Sequence, residues 1–372
     1  MSRRRYGAGS IYQRKSDGQW CAAVYTGKRQ KLLYGRSLGE VKAKLAAAQA
    51  ELNKGRLPTR RAPTVAEFLR SWLESSVKPR VRPLTYAGYK VNVEKHLVPT
   101  LGKIPLDQLT PQHVEGMINS RLAAGLSGKS VAYIHQVLRT GLSLAVRWDI
   151  VSRNVARLVD APRIERKSIK PLSPDEARRF LRAIDGHRLE ALFSVAIALG
   201  LRQGEALGLR WEDIDFGAET LRVNNQLQRI GGKLVLVPPK TEKSRRTLVM
   251  PAMALERLLE HEKRQVAEKL MAGKSWQETG LIFANRVGAP TQARRVIEQF
   301  HDALEGAGIR RIRFHDLRHS CATLLLVQGV SPRVVMEVLG HSEIALTMNA
   351  YSHVAPELQR EAAKRMQAIL ER

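Results

Sequence analysis

Apolar and aromatic positions near the N-terminus gather in three short strand-like runs, residues 10–14, 19–25 and 31–34. Asp17-Gly18 and Gly27-Lys28 separate them. Short strand-like runs separated by such glycine steps predict hairpins, hence a small three-stranded sheet. Ser37-Leu38-Gly39-Glu40 has the capping-box pattern and opens an alanine-rich helix that runs to about residue 53. From there the spacing turns helical. Thr64-Val65-Ala66-Glu67 starts a helix to about residue 77, and others are predicted near 85–98, 111–124 and 129–147. Thr110 is the expected N-cap before Pro111. Phe68, Leu69, Trp72, Leu122, Ile134, Leu138, Leu142 and Leu144 are the expected core of this four-helix unit. Ser173-Pro174-Asp175-Glu176 caps a further helix, and an apolar helix at 189–199 stops at Gly200. Strand-like runs at 220–223, 234–237 and 246–250 precede helices at 253–271 and from 291 to the end.

The order of these elements predicts an α+β multidomain fold. A small three-stranded sheet plus helix occupies residues 1–55, a helical unit 64–160, and a mainly helical domain with a small antiparallel sheet 172–372. Basic, proline-bearing linkers are expected at 56–63 and 161–171.

Charge changes the picture from fold to partner. The chain carries 62 Lys+Arg against 35 Asp+Glu, a formal net charge of +27. Such an excess calls for a polyanion, and double-stranded nucleic acid fits better than a membrane surface. No apolar run approaches the ~20 residues that span a bilayer, and the basic N-terminus has no apolar segment of a secretory signal. Cys21 and Cys321 are too few and too distant for a zinc knuckle or a disulfide framework, so a reducing cytoplasm is expected. The imbalance is sharpest in residues 1–60, with 14 basic and three acidic side chains. Arg14, Lys15, Trp20, Tyr25, Lys28, Arg29 and Lys31, with Tyr34, are expected to line a sheet face able to enter a DNA major groove. A solvated sheet with Trp20 in its core is the alternative. In the helical unit Lys90, Lys95, Lys129 and Arg139 are the expected DNA contacts.

The chemistry concentrates between Arg313 and His353. This stretch holds His315-x-x-Arg318, then Gly340-His341-Ser342, then Tyr351. Two imidazoles, a guanidinium and a phenol suit attack on a phosphodiester by tyrosine while cations hold the phosphate. Upstream, Arg202 follows the Gly200 helix stop, with Glu205 three residues later. Alone such a pair reads as a surface ion pair. Lys240 and Lys243 lie in the basic run from Pro239 to Arg246, which alone reads as a solvated hairpin. The chain has eight tyrosines, and Tyr351 is the only one in the third domain.

The ordered set Arg202, Lys240, His315-x-x-Arg318, Gly340-His341 and Tyr351 resembles the tyrosine recombinase (phage integrase) family over about residues 64–360. The flanking LGLRQGEALGLRWEDID, HDLRHSCATLLL and VLGHSEIALTMNAYSH carry the same resemblance, and the basic N-terminal module is similar to arm-binding domains of phage and integrative-element integrases. The resemblance implies a site-specific DNA recombinase that integrates or excises a mobile element through a 3′-phosphotyrosyl intermediate and a Holliday junction. Tyr351 is then the nucleophile. Arg202 and Arg318 offer planar forks to non-bridging oxygens, and His341 donates to the phosphate. His315 assists the tyrosine, Lys240 protonates the departing 5′ oxygen, and Glu205 supports Arg202. Neither metal nor other cofactor is expected: His315 and His319 are spaced as on a zinc helix, but no glutamate lies between them. The implied partners are core crossover and arm DNA sites, a homotetramer on DNA, a DNA-bending host factor and an excision factor. The setting is a bacterial cytoplasm, in association with the nucleoid. The helix predicted at 356–372 would dock on a neighbouring subunit. A type IB topoisomerase-like enzyme and a non-enzymatic DNA-binding regulator are the rival readings.

With so large a basic excess, DNA affinity is expected to fall steeply with salt, by on the order of 1000-fold between 50 and 200 mM for about six phosphate contacts. A filter-binding titration across that range checks this, and a flat response counts against a DNA partner.

Overall fold

Strand alternation decides what the N-terminal sheet packs and what it exposes. In the computed structural model, which describes residues 9–26, 29–53, 62–164, 170–239, 244–340, 363, 366–367 and 370–371, β1 (Ser10–Gln13), β2 (Trp20–Thr26) and β3 (Arg29–Gly35) pair antiparallel in that order. Ile11 lies opposite Ala22, and Ala22 opposite Leu33. Ala22 and Val24 bury against Val41 and Leu45 of α1 (Leu38–Asn53), with Ile11, Trp20 and Leu33 packed around them. Trp20 is two residues from Ala22 and so shares its face. It belongs to the packed side rather than to the exposed face expected of it. The opposite face presents Tyr12, Leu32 and Tyr34, all exposed, and the Arg14 guanidinium lies 5.7 Å from the centre of the Tyr34 ring. Lys15 is exposed. Lys28, and the side chains of Tyr25, Arg29 and Lys31, lie outside the described residues. The cap at Ser37 is only half a capping box. The Glu40 N–H donates to Ser37 Oγ, but the Glu40 carboxylate accepts from the N–H of Arg36, not of Ser37.

The helical unit begins at a complete capping box between Thr64 and Glu67. Helix α2 (Val65–Trp72) continues through a π-helical turn, Leu73–Val77. Helix α3 (Pro83–Asn92) runs through another, Val93–Leu97, into α4 (Val98–Leu101), so this segment extends beyond its expected ends. Helices α5 (Pro111–Ala123) and α6 (Gly128–Arg147) complete it, with Thr110 capping α5. Val65, Phe68, Leu69 and Trp72 meet Ile134, Leu138 and Leu142 in one apolar core, separate from that of the sheet. Leu122 is not part of that core. It is 38% exposed because it falls in the last turn of α5, beyond the buried stripe of Val114, Met117 and Ile118. Lys90, Lys95, Lys129 and Arg139 are all exposed.

Chain contacts divide the protein into two units, residues 1–166 and 167–372. The second starts at α7 (Pro174–Ala183), capped by Ser173 and Glu176. Helix α8 (Glu190–Leu199) is buried along nearly its whole length and is the spine of the core. Short α9 (Gln203–Leu207) follows. Then come β4 (Ile214–Asp215), β5 (Thr220–Arg222), β6 (Gln226–Ile230), β7 (Lys233–Val237) and β8 (Thr247–Val249). The runs expected at 234–237 and 246–250 do not pair with each other. β4, β5 and β8 form one sheet, while β7 folds back on β6 across Gly231-Gly232. Both glycines have positive φ, 56° and 84°, which the tight reversal needs. Helices α10 (Ala252–Ala272), α11 (Ala293–Gly306), α12 (Asp316–Val327) and α13 (Pro332–Leu339) close the unit. The segment expected to form the C-terminal helix lies almost wholly outside the described residues. Among the described residues no helix is long and apolar enough to cross a membrane.

Gly208 ends α9 where it meets β6. A Cβ there would stand 2.8 Å from Gln226 Cα and from Leu227 N, both backbone atoms. Gly208→Ala therefore has to displace a strand rather than a side chain. It is expected to cost about 1–3 kcal/mol by overpacking, read as a lowered midpoint in chemical denaturation of the full chain.

Candidate active site

The site is built where α8 stops. Gly200 takes the left-handed conformation, φ 61°, and turns the chain out of the buried helix. Arg202 then sits in extended backbone at the start of α9, which puts Glu205 within reach of it. The Arg202 N–H donates to Glu205 Oε2 at 3.1 Å, and its guanidinium Nη1 donates to Oε1 at 2.5 Å. The expected surface ion pair is thus half interior. Glu205 is 2% exposed, while the Arg202 side chain stays open to solvent at 36%.

A second guanidinium reaches the same carboxylate. Arg246 Nη2 donates to Glu205 Oε2 at 3.1 Å, Nε to the Val338 carbonyl at 2.7 Å and Nη1 to the Ser244 carbonyl at 3.2 Å. Its side chain is 7% exposed. The sequence reading gave Arg246 no role, because it closes a basic run that looks solvated. The signal that could have found it is alternation. Leu248 and Met250 are buried, so Arg246 falls on the inward side of the same strand.

Arg318 arrives from the first turn of α12 and is 2% exposed. Its Nη1 donates to the Gly200 carbonyl at 2.8 Å. Its Nη2 is buried with no hydrogen-bond partner among the described residues. His315 precedes α12 and is held there by its neighbours. The Arg313 N–H and guanidinium both donate to Asp316, at 2.8 and 2.7 Å. The His315 ring stands edge-on to His319, 5.2 Å between centres. Cys321, one turn beyond Arg318, is buried against α8. Burial pushes its thiol up to about 12, so it is a packing group rather than a nucleophile.

The electrostatics follow from too many cations around too little negative charge. Burial opposes ionisation of Glu205, but Arg246 and Arg202 outweigh it and hold the carboxyl below its usual range. Burial, then the field of Arg202, pushes Arg318 down to about 9, still cationic at neutral pH. Burial of the His315 ring, then His319, Arg318, Arg202 and Arg313, pushes that imidazole down to about 4. The residue as a whole remains exposed, so solvent screens part of this field, and His315 is neutral at pH 7. Three guanidiniums, those of Arg202, Arg246 and Arg318, surround one carboxylate, and one buried N–H is unsatisfied. Such a pocket accepts an anion.

Of the residues expected in the site, the fold brings Arg202, Glu205, His315 and Arg318 together. Lys240, His341 and Tyr351 lie outside the described residues. Among those described, no three His, Cys, Asp or Glu side chains cluster as metal ligands.

Comparison with known proteins decides the family. The phage integrase family profile matches residues 170–357, half of the chain. The chain belongs to the phage integrase family. Its members cleave and rejoin DNA, and this chain is an enzyme of that tyrosine recombinase type. A second profile, the N-terminal SAM-like domain of phage integrases, matches residues 64–122. An integrase of Saccharopolyspora erythraea is 28% identical over 94% of both chains. A XerC-like tyrosine recombinase of Caldanaerobacter subterraneus is 30% identical over 90% of each. The fold agrees with two solved relatives. The Tn1549 transposon integrase in complex with a circular intermediate DNA superposes with a TM-score of 0.69 at 22% identity, over 82% of this chain and 100% of that one. A lambda integrase tetramer bound to a Holliday junction superposes with a TM-score of 0.58 at 19% identity, over 94% and 96%.

The depressed imidazole has a measurable consequence for this integrase. The unfolded chain takes up the His315 proton near 6.5 and the folded chain only near 4, so this group's contribution to stability is lost as pH falls through that window. The profile of kcat/KM, which reports the free enzyme, is expected to show no acid limb near 6.5 from His315. Comparing DNA cleavage by the wild type and by His315→Gln between pH 5 and 8 checks it.

Proposed function

We propose that this integrase inserts and excises a mobile element by cutting DNA at specific sites with Tyr351 as nucleophile. The observation that carries the reading is the under-neutralised guanidinium cluster. A scissile phosphodiester brings one negative charge, and its pentavalent transition state a second. The three guanidiniums minus Glu205 leave a surplus of two positive charges. Donors fixed before the reaction stabilise the charge as it develops, which is where they lower a barrier. Arg202 and the unpaired Nη2 of Arg318 hold the non-bridging oxygens. His315 is neutral, so it is able to accept the tyrosine proton. Lys240 protonates the departing 5′ oxygen and His341 donates to the phosphate. The bond that forms joins Tyr351 Oη to the 3′ phosphate, and the bond that breaks releases a 5′-OH. Its attack on a partner strand reverses the step without ATP.

Residues 172–372 serve as the catalytic domain, 64–160 as the core-binding domain and 1–55 as an arm-binding domain, joined by linkers at 56–63 and 161–171. The exposed lysines and arginines of the helical unit support DNA contact there, as do Tyr12, Tyr34 and Arg14 on the free sheet face. Two separate DNA-binding modules raise the effective concentration of one site once the other is held. Exchange proceeds through a Holliday junction in a homotetramer, with a DNA-bending host factor and an excision factor setting direction, in a bacterial cytoplasm.

With a nicked DNA substrate that traps the cleaved strand, Tyr351→Phe is expected to lower the covalent protein–DNA adduct by on the order of 1000-fold or more. DNA affinity should be unchanged in a mobility-shift titration. An adduct that persists in the variant removes Tyr351 as the nucleophile.

A further inference from the structure

We propose that Arg246 is a positioning residue for DNA cleavage, the tie that holds three separate segments of the phosphate pocket in register. The inference rests on the reading of Arg202 as a phosphate ligand. The guanidinium uses two of its nitrogens on distant segments and the third on its own stretch of chain. Nη2 reaches Glu205 in the first turn of α9, at 3.1 Å, and Glu205 in turn holds Arg202. Nε reaches the Val338 carbonyl in the last turn of α13, at 2.7 Å. Nη1 reaches the Ser244 carbonyl at 3.2 Å, at the point where the chain returns from residues 240–243.

Each contact fixes something the pocket needs. The last turn of a helix leaves its carbonyls without partners inside the helix. At the end of α13 the Gly340 N–H takes the carbonyls of Glu337 and Met336. Arg246 takes that of Val338, and a cation is favoured at this end of the helix dipole. Gly340 has φ 63° and leads directly into His341. The direction in which the chain leaves α13 is therefore set by a glycine turn on one side and Arg246 on the other. The same guanidinium occupies the Glu205 oxygen that also receives the Arg202 N–H. Glu205 consequently cannot rotate without breaking contacts on both sides. Arg246 is almost fully buried, and Nε, Nη1 and Nη2 are each committed to an acceptor of the fold. It acts on the phosphate through Arg202 and through the path to His341, not by touching it.

An ammonium carries its three donors on one atom and cannot span acceptors that Arg246 reaches with three separate nitrogens. Lysine at this position keeps the charge beside Glu205 but not the planar fork. Arg246→Lys in the full-length chain is the main test, with Arg246→Gln beside it and thermal unfolding to show that each variant is folded. Adduct formation is followed in single turnover on a nicked DNA substrate, once with a normal scissile phosphodiester and once with a neutral methylphosphonate in its place. Arg246→Lys is expected to bind DNA as the wild type does and to cleave the phosphodiester about 100-fold more slowly, the scale of a misplaced reacting group. On the methylphosphonate the ratio of wild-type to variant rate should shrink to a few-fold, because one of the two non-bridging oxygens, and with it half of the transition-state charge that Arg202 meets, is gone. Equal slowing on both substrates means that Arg246 only supports the fold and overturns the proposal, as does wild-type cleavage of the phosphodiester. The nucleophile is tested separately. If Tyr351→Phe still forms adduct, that assignment fails, while the ratio between the two substrates continues to report on Arg246.

Discussion

A buried carboxylate must be paired or it is not tolerated as an anion. Glu205 is the acid on which the second unit closes. Two guanidiniums hold it, one from its own helix start and one from the residue just before β8. Removing one partner of such a buried pair typically costs about 3–5 kcal/mol, a large share of a domain's stability. That requirement joins segments more than forty residues apart in sequence, since the Glu205–Arg246 separation is 41. The apolar helix α8 supplies the mass of the core, but its packing would be satisfied by many continuations of the chain. The pairing of Glu205 selects the one in which Gly200 turns left-handed, Arg202 faces outward and Arg246 faces inward.

The same pairing leaves the pocket in electrostatic tension. Arg318 is buried beside Arg202 and Arg246, with its positive charge disfavoured by burial and by both neighbours. A fold optimised for stability alone would place an apolar side chain there. The cost is instead carried by contacts that fix the guanidinium: Nη1 bonded to the Gly200 carbonyl, and α12 started firmly by the Arg313–Asp316 pair. What remains is a donor already desolvated and already aimed. On the proposed reading an incoming phosphate would relieve the tension, and the surplus charge that weakens the free protein would become part of the attraction for the substrate.

Much of this was legible in the sequence. Capping boxes at Thr64 and Ser173, the N-cap at Thr110 and the stop at Gly200 were readable because caps are local chemistry. Arg202, Glu205, His315 and Arg318 were readable as an ordered set with spacing. Arg246 was not, because the carboxylate that makes it structural lies far away in sequence and a run of basic residues looks solvated by default. Strand pairing failed for a related reason. The run 246–250 is next in sequence after 234–237, yet β8 finds β5, and β7 finds β6 through a Gly-Gly turn. Trp20 was grouped with the basic and aromatic residues of the DNA-facing side, with a core position as the alternative, and its place two residues from Ala22 puts it in the core. In each case a residue's partner, not its type, determined its place.

Two populations of positive charge therefore do different work in this chain. Lys90, Lys95, Lys129 and Arg139 are exposed, and beyond about 8 Å at physiological ionic strength salt screens what they contribute. As the proposed DNA contacts they would act in sum, on the DNA backbone as a whole, and any one of them would be replaceable by a neighbour. Arg202, Arg246 and Arg318 sit in a pocket where screening is weak and geometry is strict, and none substitutes for another because each makes its own set of bonds. Ionic strength should consequently tune how often DNA is held without altering how fast a held phosphate is attacked. The formal charge of +27 announces the first property. The second depends on one carboxylate buried among guanidiniums.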